Sequence, residues 1–380
     1  MKVHLRNPTR VVDVPGPAPV GKVLDRLGVN PETVLAIHRG ELVTKDVVLP
    51  DDAELEIRPV ISGGAGPAPC HACDKTAVIE VARHHAAYCA GHFVDHVRGQ
   101  VRVAIDRYRM MSYDDRVLVA VSGGKDSLAL WDVLLDMGYR ADGLYVGLGI
   151  GEYSSGSALL VEEFARQRRV NLHTVDLAGE YGYDIPSAAS TRTRPPCGVC
   201  GLSKRYVFNR VAVAHGYDVM ATGHNLDDEA ATLLGNVLRW QAPFLARQSP
   251  CLTAREGEMA RKVKPLYRLG ERETAAYCVI KGLDYVVEEC PLVGGNTVLR
   301  YKDALNGLER SSPGTKAAFL FGFLDRAQGA YFGQADGEAA NLIPCRTCGM
   351  PTAGRHTQEE GPVCAFCRTR SRLLRLVASP

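Results

Sequence analysis

Val117-Leu118-Val119-Ala120-Val121-Ser122-Gly123-Gly124-Lys125-Asp126-Ser127 carries an apolar run straight into two glycines, a lysine and an acid between hydroxyls. Five apolar residues in succession suit a strand buried on both faces of a parallel sheet. The glycines permit a tight turn in which backbone N–H groups face inward. A helix opening at Asp126 or Ser127 adds the positive end of its dipole. Lys125 offers a point charge to a phosphate, and Ser122 and Ser127 offer hydroxyls. The spacing is neither that of the G-x-x-x-x-G-K-S/T loop nor the dinucleotide fingerprint. The bland reading is a strand-to-helix turn with no ligand.

Outward from this loop, residues 116–291 alternate strand and helix patterns, which argues for a parallel α/β sheet. Strands are expected at Val117–Val121, Gly143–Leu148, Asn171–Val175, Val219–Thr222 and Tyr285–Glu288. Helices are expected at Ser127–Met137, Ala158–Arg169, Ser203–His215 and Asp228–Arg239, with helical character again over 96–111 and 297–332. Gly223-His224-Asn225-Leu226-Asp227-Asp228-Glu229-Ala230 follows the fourth strand and opens a helix, so it lies on the same carboxyl edge as the loop. Ligands of open α/β sheets bind along that edge. Asp228 is placed to hold Mg²⁺ against phosphates and Asp227 to orient it. Capping of the next helix is the competing role for both.

The chain has 380 residues, 45 Lys+Arg against 43 Asp+Glu, and 12 cysteines. This length suggests two or three units, and 46% hydrophobic residues with 23% charged describe an ordinary soluble chain. Without a long apolar run, or a basic stretch followed by one, neither a membrane span nor secretion is expected, and the cytoplasm is the expected location. Charge is uneven. Residues 1–66 hold 8 basic and 9 acidic side chains, whereas 345–380 hold 6 arginines against Glu359 and Glu360. A basic tail suits phosphates, or is simply solvated.

Spacing gives the cysteines their meaning. Cys70-x2-Cys73-x15-Cys89-x2-His92 and Cys345-x2-Cys348-x15-Cys364-x2-Cys367 share one pattern. Each half offers two ligands from one turn, and four thiolate or imidazole ligands make a closed, structural zinc site. Such short segments lack a core, so metal supplies their folding energy. His71, His84 and His85 are rival nitrogen ligands, and His92 is preferred because it completes the paired step.

A third group is Cys197 and Cys200, at a helix start beside Lys204 and Arg205, where thiol pKa values are expected to fall. Cys290, after the Tyr285–Glu288 pattern, is expected at the same sheet edge. Three thiolates in one cleft suit a [4Fe–4S] cluster with one iron left open, a persulfide and disulfide relay, or zinc with a fourth ligand. Cys278 reads as a core residue. Cys251 is a weaker candidate for third thiol, because no strand pattern delivers it to the edge.

The loop Ser122–Ser127 and the Gly223–Ala230 segment resemble the PP-loop of N-type ATP pyrophosphatases, a HUP-like α/β fold. With the flanking metal modules and Cys-x-x-Cys plus distant cysteine, residues 70–367 resemble the TtuA family of tRNA 2-thiouridine synthetases. The resemblance implies an ATP-dependent tRNA sulfurtransferase. In it Ala120, Ser122, Gly123, Gly124, Lys125, Asp126, Ser127, Leu148, Gly223 and Asp228 meet ATP and Mg²⁺. Cys197, Lys204, Asp228 and Cys290 are catalytic, and Cys197, Cys200 and Cys290 hold the cluster. It further implies adenylation of the uridine 2-oxygen with loss of pyrophosphate, then displacement of AMP by sulfur. It favours position 54 of the T loop, with wobble-uridine and cytidine thiolases and a non-catalytic zinc-bearing RNA-binding scaffold as rivals. tRNA, a ubiquitin-like sulfur carrier and its activating enzyme are the implied partners, and a homodimer is left open.

The N-terminal segment alternates short strands at Val3–Leu5, Arg10–Val14, Val34–His38, Glu41–Val43 and Glu54–Ile61 with one helical pattern at Val20–Leu27, and closes in Gly63-Gly64. It is similar to the β-grasp carriers of the ThiS/MoaD/TtuB type. Because Ala65 follows Gly64, a free carboxylate would need cleavage. Without it the domain docks another carrier, stabilises the enzyme or is inert. The expected organisation is a ubiquitin-like domain over 1–64, a linker over 65–69, a zinc finger over 70–98, the PP-loop domain over 99–340 and a basic zinc finger over 341–380.

Overall fold

The computed structural model describes residues 1–6, 10–29, 31, 34–59, 69–191, 194–255, 259–293, 297–332, 342–353 and 361–377. The Gly63-Gly64 tail and the expected linker through Ala68 lie outside them.

Strands β1 (Lys2–Leu5), β2 (Arg10–Asp13), β3 (Ala18–Pro19), β4 (Val34–His38), β5 (Glu41–Leu42), β6 (Val48–Leu49) and β7 (Glu54–Pro59) accompany one helix, α1 (Val20–Arg26). Five of them form a sheet in the order β2-β1-β7-β4-β5, with β1 and β7 parallel and the other neighbours antiparallel. Val20, Val23 and Leu24 of α1 recur at helical spacing and bury against Val3, Leu55 and Ile57. Strand β4 is apolar on both faces. Val34 and Ala36 serve this small core, while Leu35 and Ile37 pack into the core of the main body.

Hairpin β8 (Ile79–Val81) and β9 (Ala86–Tyr88) leads into α2 (Ala90–Tyr108), whose first turn carries His92. The expected boundary at 98/99 therefore falls inside one helix. The central body follows as β10 (Arg116–Val121), α3 (Lys125–Asp136), β11 (Arg140–Gly147), α4 (Gly151–Arg168), β12 (Leu172–Asp176), α5 (Leu177–Tyr181), α6 (Ile185–Ser190) and α7 (Pro196–Ala214). It continues through β13 (Val219–Thr222), α8 (Leu226–Leu238), α9 (Ala242–Ala246), β14 (Cys251–Leu252), β15 (Arg261–Val263) and α10 (Glu271–Lys281). The sheet order is β12-β11-β10-β13-β15-β14, parallel throughout except for β14. Successive residues of β10 feed opposite layers: Val117, Val119 and Val121 join one core and Leu118 the other. From β10 the chain moves outward through β11 to β12, and the connection through α7 then returns to β13 on the other side of β10, which creates the crevice at its carboxyl end.

Four expected parallel strands are present, and the fifth is corrected. Tyr285–Glu288 forms no strand; β15 takes the place beside β13, and β14 adds an edge. Arg261-Lys262-Val263 lacks the apolar run of a buried strand, and only its pairing with Val219–Ala221 makes it one. Helices α11 (Thr297–Ser311) and α12 (Thr315–Gly322) follow, and the chain coils on in wider π-helical turns over Phe323–Phe332. Strands β16 (Leu342–Pro344) and β17 (Pro351–Ala353) and helix α13 (Ala365–Val377) complete it. Among the described residues, no helix is long and apolar enough to cross a membrane.

Candidate functional site

The quoted stretch is a strand, a turn and a helix. Gly123 holds φ +79°, and a Cβ there would sit 2.9 Å from Ser157 Cβ. Glycine is required on both counts. The Ser122 N–H donates to Ser127 Oγ at 3.1 Å, and that hydroxyl donates to the Gly124 carbonyl at 2.9 Å. The Val286 N–H donates to the Gly123 carbonyl at 2.9 Å. The segment read as a strand thus acts as a strap across the loop.

The second motif touches the first. A Cβ on Gly223 would lie 2.9 Å from the Asp126 carbonyl group and the Ser127 nitrogen. Asn225 caps α8, accepting from the Asp228 N–H at 3.0 Å, and its side-chain amide donates to Asp126 Oδ1 at 3.1 Å. Asp228 completes a capping box with the Asn225 N–H and also pairs with Lys302 Nζ at 2.6 Å. The expectation for Asp227 is corrected. This carboxylate is 1% exposed, pairs with Lys316 and accepts from the Glu271 N–H at 2.8 Å, so it anchors α10.

At the carboxyl ends of β10 and β11 a pocket is lined by Ala120, Ser122, Leu148, Tyr153, Lys204 and Phe208. Four expected site residues (Ala120, Ser122, Leu148 and Lys204) therefore meet there. Through Tyr153 and Ser157 it adjoins an open cavity of about 810 Å³ that reaches Glu288, Glu289 and Pro291.

Cys197 lies on the first turn of α7 and Cys200 just beyond it, Cys197 exposed and Cys200 half-buried. Burial pushes the Cys200 thiol up, against the pull of Lys204 and Arg205, and the neighbouring Cys290 and Cys197 add to the rise. Desolvation outweighs the cations here, a correction to the expected lowering. Cys290 arrives on the strap rather than on a strand. These three sulfurs do not form a tight single-ion cluster among the described residues. Cys251 does sit on a strand, β14, but it packs with the core on the other face. Cys278 is fully buried, with its Sγ donating to the Lys125 carbonyl, in keeping with a core role.

Two clusters close as the spacing implied. The ligand atoms of Cys70, Cys73, Cys89 and His92 lie within 4.8 Å of one another, as do those of Cys345, Cys348, Cys364 and Cys367. His92 presents Nδ1, 3.3 Å from Cys70 Sγ, and the rival histidines stand outside this group. Burial opposes the Cys345 thiolate, but backbone N–H groups led by that of Cys364 bring its pKa down to about 6. The first cluster is clamped to the body by Arg83, which pairs with Glu273 and donates to the Arg268 carbonyl at 2.8 Å. The second is held by Phe366, stacked on Tyr206 of α7 with centroids 3.7 Å apart.

Glu271 and Lys302 escaped the sequence reading. Glu271 Oε1 lies 2.7 Å from Lys125 Nζ, and Lys302 bridges Glu271 and Asp228. Gly270 followed by Glu273 signals a helix start, but nothing local ties that start to a loop 145 residues earlier.

The family model of a PP-loop domain matches residues 97–291. A Thermus thermophilus protein named tRNA-5-methyluridine(54) 2-sulfurtransferase is 48% identical over 300 residues, covering 79% of this chain and 90% of that one. A Pyrococcus horikoshii protein of the same name is 40% identical over 303 residues, covering 79% and 92%. Among solved structures, the U34-tRNA thiolase NcsA of Methanococcus maripaludis with its [4Fe-4S] cluster superposes with a TM-score of 0.60. At 24% identity, over 67% of this chain and 86% of that one, this likeness speaks for the fold.

Proposed function

The chain belongs to the PP-loop family of tRNA 2-sulfurtransferases, and on that premise we propose that it replaces the C2 oxygen of a tRNA uridine with sulfur at the expense of ATP. The observation that carries this reading is the pocket joining the phosphate loop to Lys204, one helical turn from Cys200. The names of the relatives favour position 54 as the target.

Ser122–Ser127 and Gly223 present backbone and side-chain donors to the phosphates, and Ala120 and Leu148 provide the apolar wall for a base. The uridine 2-oxygen attacks the α-phosphorus, pyrophosphate leaves, and a sulfur nucleophile then adds at C2 and expels AMP. Adenylation is needed because a carbonyl oxygen is otherwise a poor leaving group. Lys204, at the pocket wall, stabilises negative charge as it develops on the phosphoryl oxygens. Asp228 suits Mg²⁺, since its carboxylate already accepts a cation at the edge of the loop.

Cys197, Cys200 and Cys290 fit a [4Fe–4S] cluster, because Cys200 and Cys290 border one apolar core, Cys197 stands close enough to act on the Cys200 thiol, and the three are not drawn together as the ligands of a single ion are. When bound, the cluster would offer an iron open to a sulfur donor. Cys73–Cys89 and Cys348–Cys364 sulfurs stand 3.9 and 3.8 Å apart. A tetrahedral ion with Zn–S bonds of about 2.3 Å needs about 3.8 Å, so zinc suits both closed sites.

We read residues 1–59 as a ubiquitin-like unit: the parallel pairing of β1 with β7 and the single helix support this. Leu35 and Ile37, buried against the main body, favour a retained domain over a released carrier. Sulfur then comes from a separate carrier, and the arginines of α13 meet tRNA phosphates.

Anaerobic reconstitution with iron and sulfide tests the cleft. Cys197→Ala should lose the iron–sulfur absorbance and at least about 90% of thiouridine formation, an order-of-magnitude expectation for a lost ligand. Unchanged absorbance and yield would sink the assignment.

A further inference from the structure

Five side chains around the phosphate loop form a row of alternating charge. Asp126 Oδ2 lies 3.0 Å from Lys125 Nζ, which lies 2.7 Å from Glu271 Oε1. The second Glu271 oxygen lies 3.1 Å from Lys302 Nζ, which lies 2.6 Å from Asp228 Oδ1. The Lys125, Glu271 and Lys302 side chains are only 16%, 16% and 10% exposed. Glu271 opens α10 with its N–H donating to Asp227, and the Thr274 hydroxyl, one turn on, reaches Asp126. The start of α10 is therefore latched to the loop by a salt bridge and by a hydrogen bond.

Lys125 is the cation that the loop itself holds out, and a carboxylate already occupies it. We propose that Glu271 is a positioning residue that acts as a phosphate surrogate: it holds Lys125 in the nucleotide-free protein, and an ATP phosphate displaces it. This inference rests on the ATP reading above. A largely buried ammonium is costly unless anions surround it, and Glu271, nearer than Asp126, is the one of its two carboxylate partners that lies outside the loop and can give way to a phosphate. Displacement does not strand Glu271, because its other oxygen keeps Lys302. Burial opposes the Glu271 carboxylate, but Lys125 and Lys302 together hold it ionised, down to about 2. The surrogate is thus present at any physiological pH. It keeps the site assembled, and nucleotide affinity is the term that suffers.

Calorimetric titration of the full chain with ATP and Mg²⁺ tests this. Glu271→Gln keeps the shape and removes the nearer of the two charges that compete for Lys125, leaving Asp126 in place, so ATP should bind roughly 3- to 10-fold tighter, the scale of one charge-assisted hydrogen bond. In a Lys125→Met background the same substitution should change ATP affinity by less than about 2-fold, since the effect is routed through Lys125. Glu271→Asp, too short to span both lysines, should give part of the tightening if the glutamine variant folds poorly. Unchanged or weaker binding by Glu271→Gln, or tightening that persists without Lys125, overturns the inference while leaving the ATP reading intact. A wild-type chain that binds no ATP overturns the nucleotide reading itself.

Discussion

Gly223 lacks a side chain because the backbone of Asp126 and Ser127 fills the space one would need, at 2.9 Å. The two motifs are therefore in contact, and Gly223→Ala must push the phosphate loop away from α8. A loss of stability of about 1–3 kcal/mol is expected, together with ATP affinity lowered at least about tenfold. Thermal melting and ATP titration check the two effects, and wild-type affinity would contradict the packing argument. The turn at Gly123 and the place of Lys125 beside it were legible because phosphate-loop chemistry restricts residue type there, whereas Lys204 entered through the family resemblance alone. Asp227 was misread for the opposite reason. Two adjacent aspartates at a helix start look alike in sequence, and only the buried Lys316 marks Asp227 as the anchor.

At the scale of elements, the strap Tyr285–Cys290 shows where local pattern fails. Tyr285-Val286-Val287-Glu288 has strand composition, yet its Val286 N–H bonds the Gly123 carbonyl instead of a ladder, and Cys290 still reaches the cleft. The short cationic strand β15 gave no signal, since it exists only by pairing with β13. The Cys/His spacings, by contrast, forced their own closure. How the first finger grips α10 was not legible, because Arg83 and Glu273 lie 190 residues apart. Burial opposes ionisation of Glu273, but Arg83 and His96 hold its carboxyl down to about 2, below its ordinary 4.5. Its stabilisation is thus complete above about pH 4.5 and lost as pH falls toward 2. Glu273→Gln should lower stability by about 3 kcal/mol at neutral pH and flatten the acid limb. Urea midpoints between pH 6 and 3 check both, and an acid limb as steep as wild type would refute the role.

Across the whole molecule, the N-terminal sheet and the main body share β4, with Val34 and Ala36 on one side and Leu35 and Ile37 on the other. The sequence shows only an apolar strand; a partner on its second face appears once the body is folded. Release of this unit would expose both side chains. Leu35→Asp should therefore destabilise the full chain by about 2–4 kcal/mol. Protein purified from its host should have one intact mass, that of the uncleaved chain. A major species ending at Gly64 with a thiocarboxylate would contradict retention.

Under the proposed function, ATP and the three-cysteine cleft together thiolate a tRNA uridine. Nucleoside mass spectrometry of tRNA treated anaerobically with the iron-reconstituted protein, a sulfide source and Mg²⁺ tests it most directly, with and without ATP. A 2-thiouridine derivative mapping to position 54 should form only with ATP and be lost in Cys197→Ala. Thiouridine formed without ATP, or equal yield from Cys197→Ala, would contradict it.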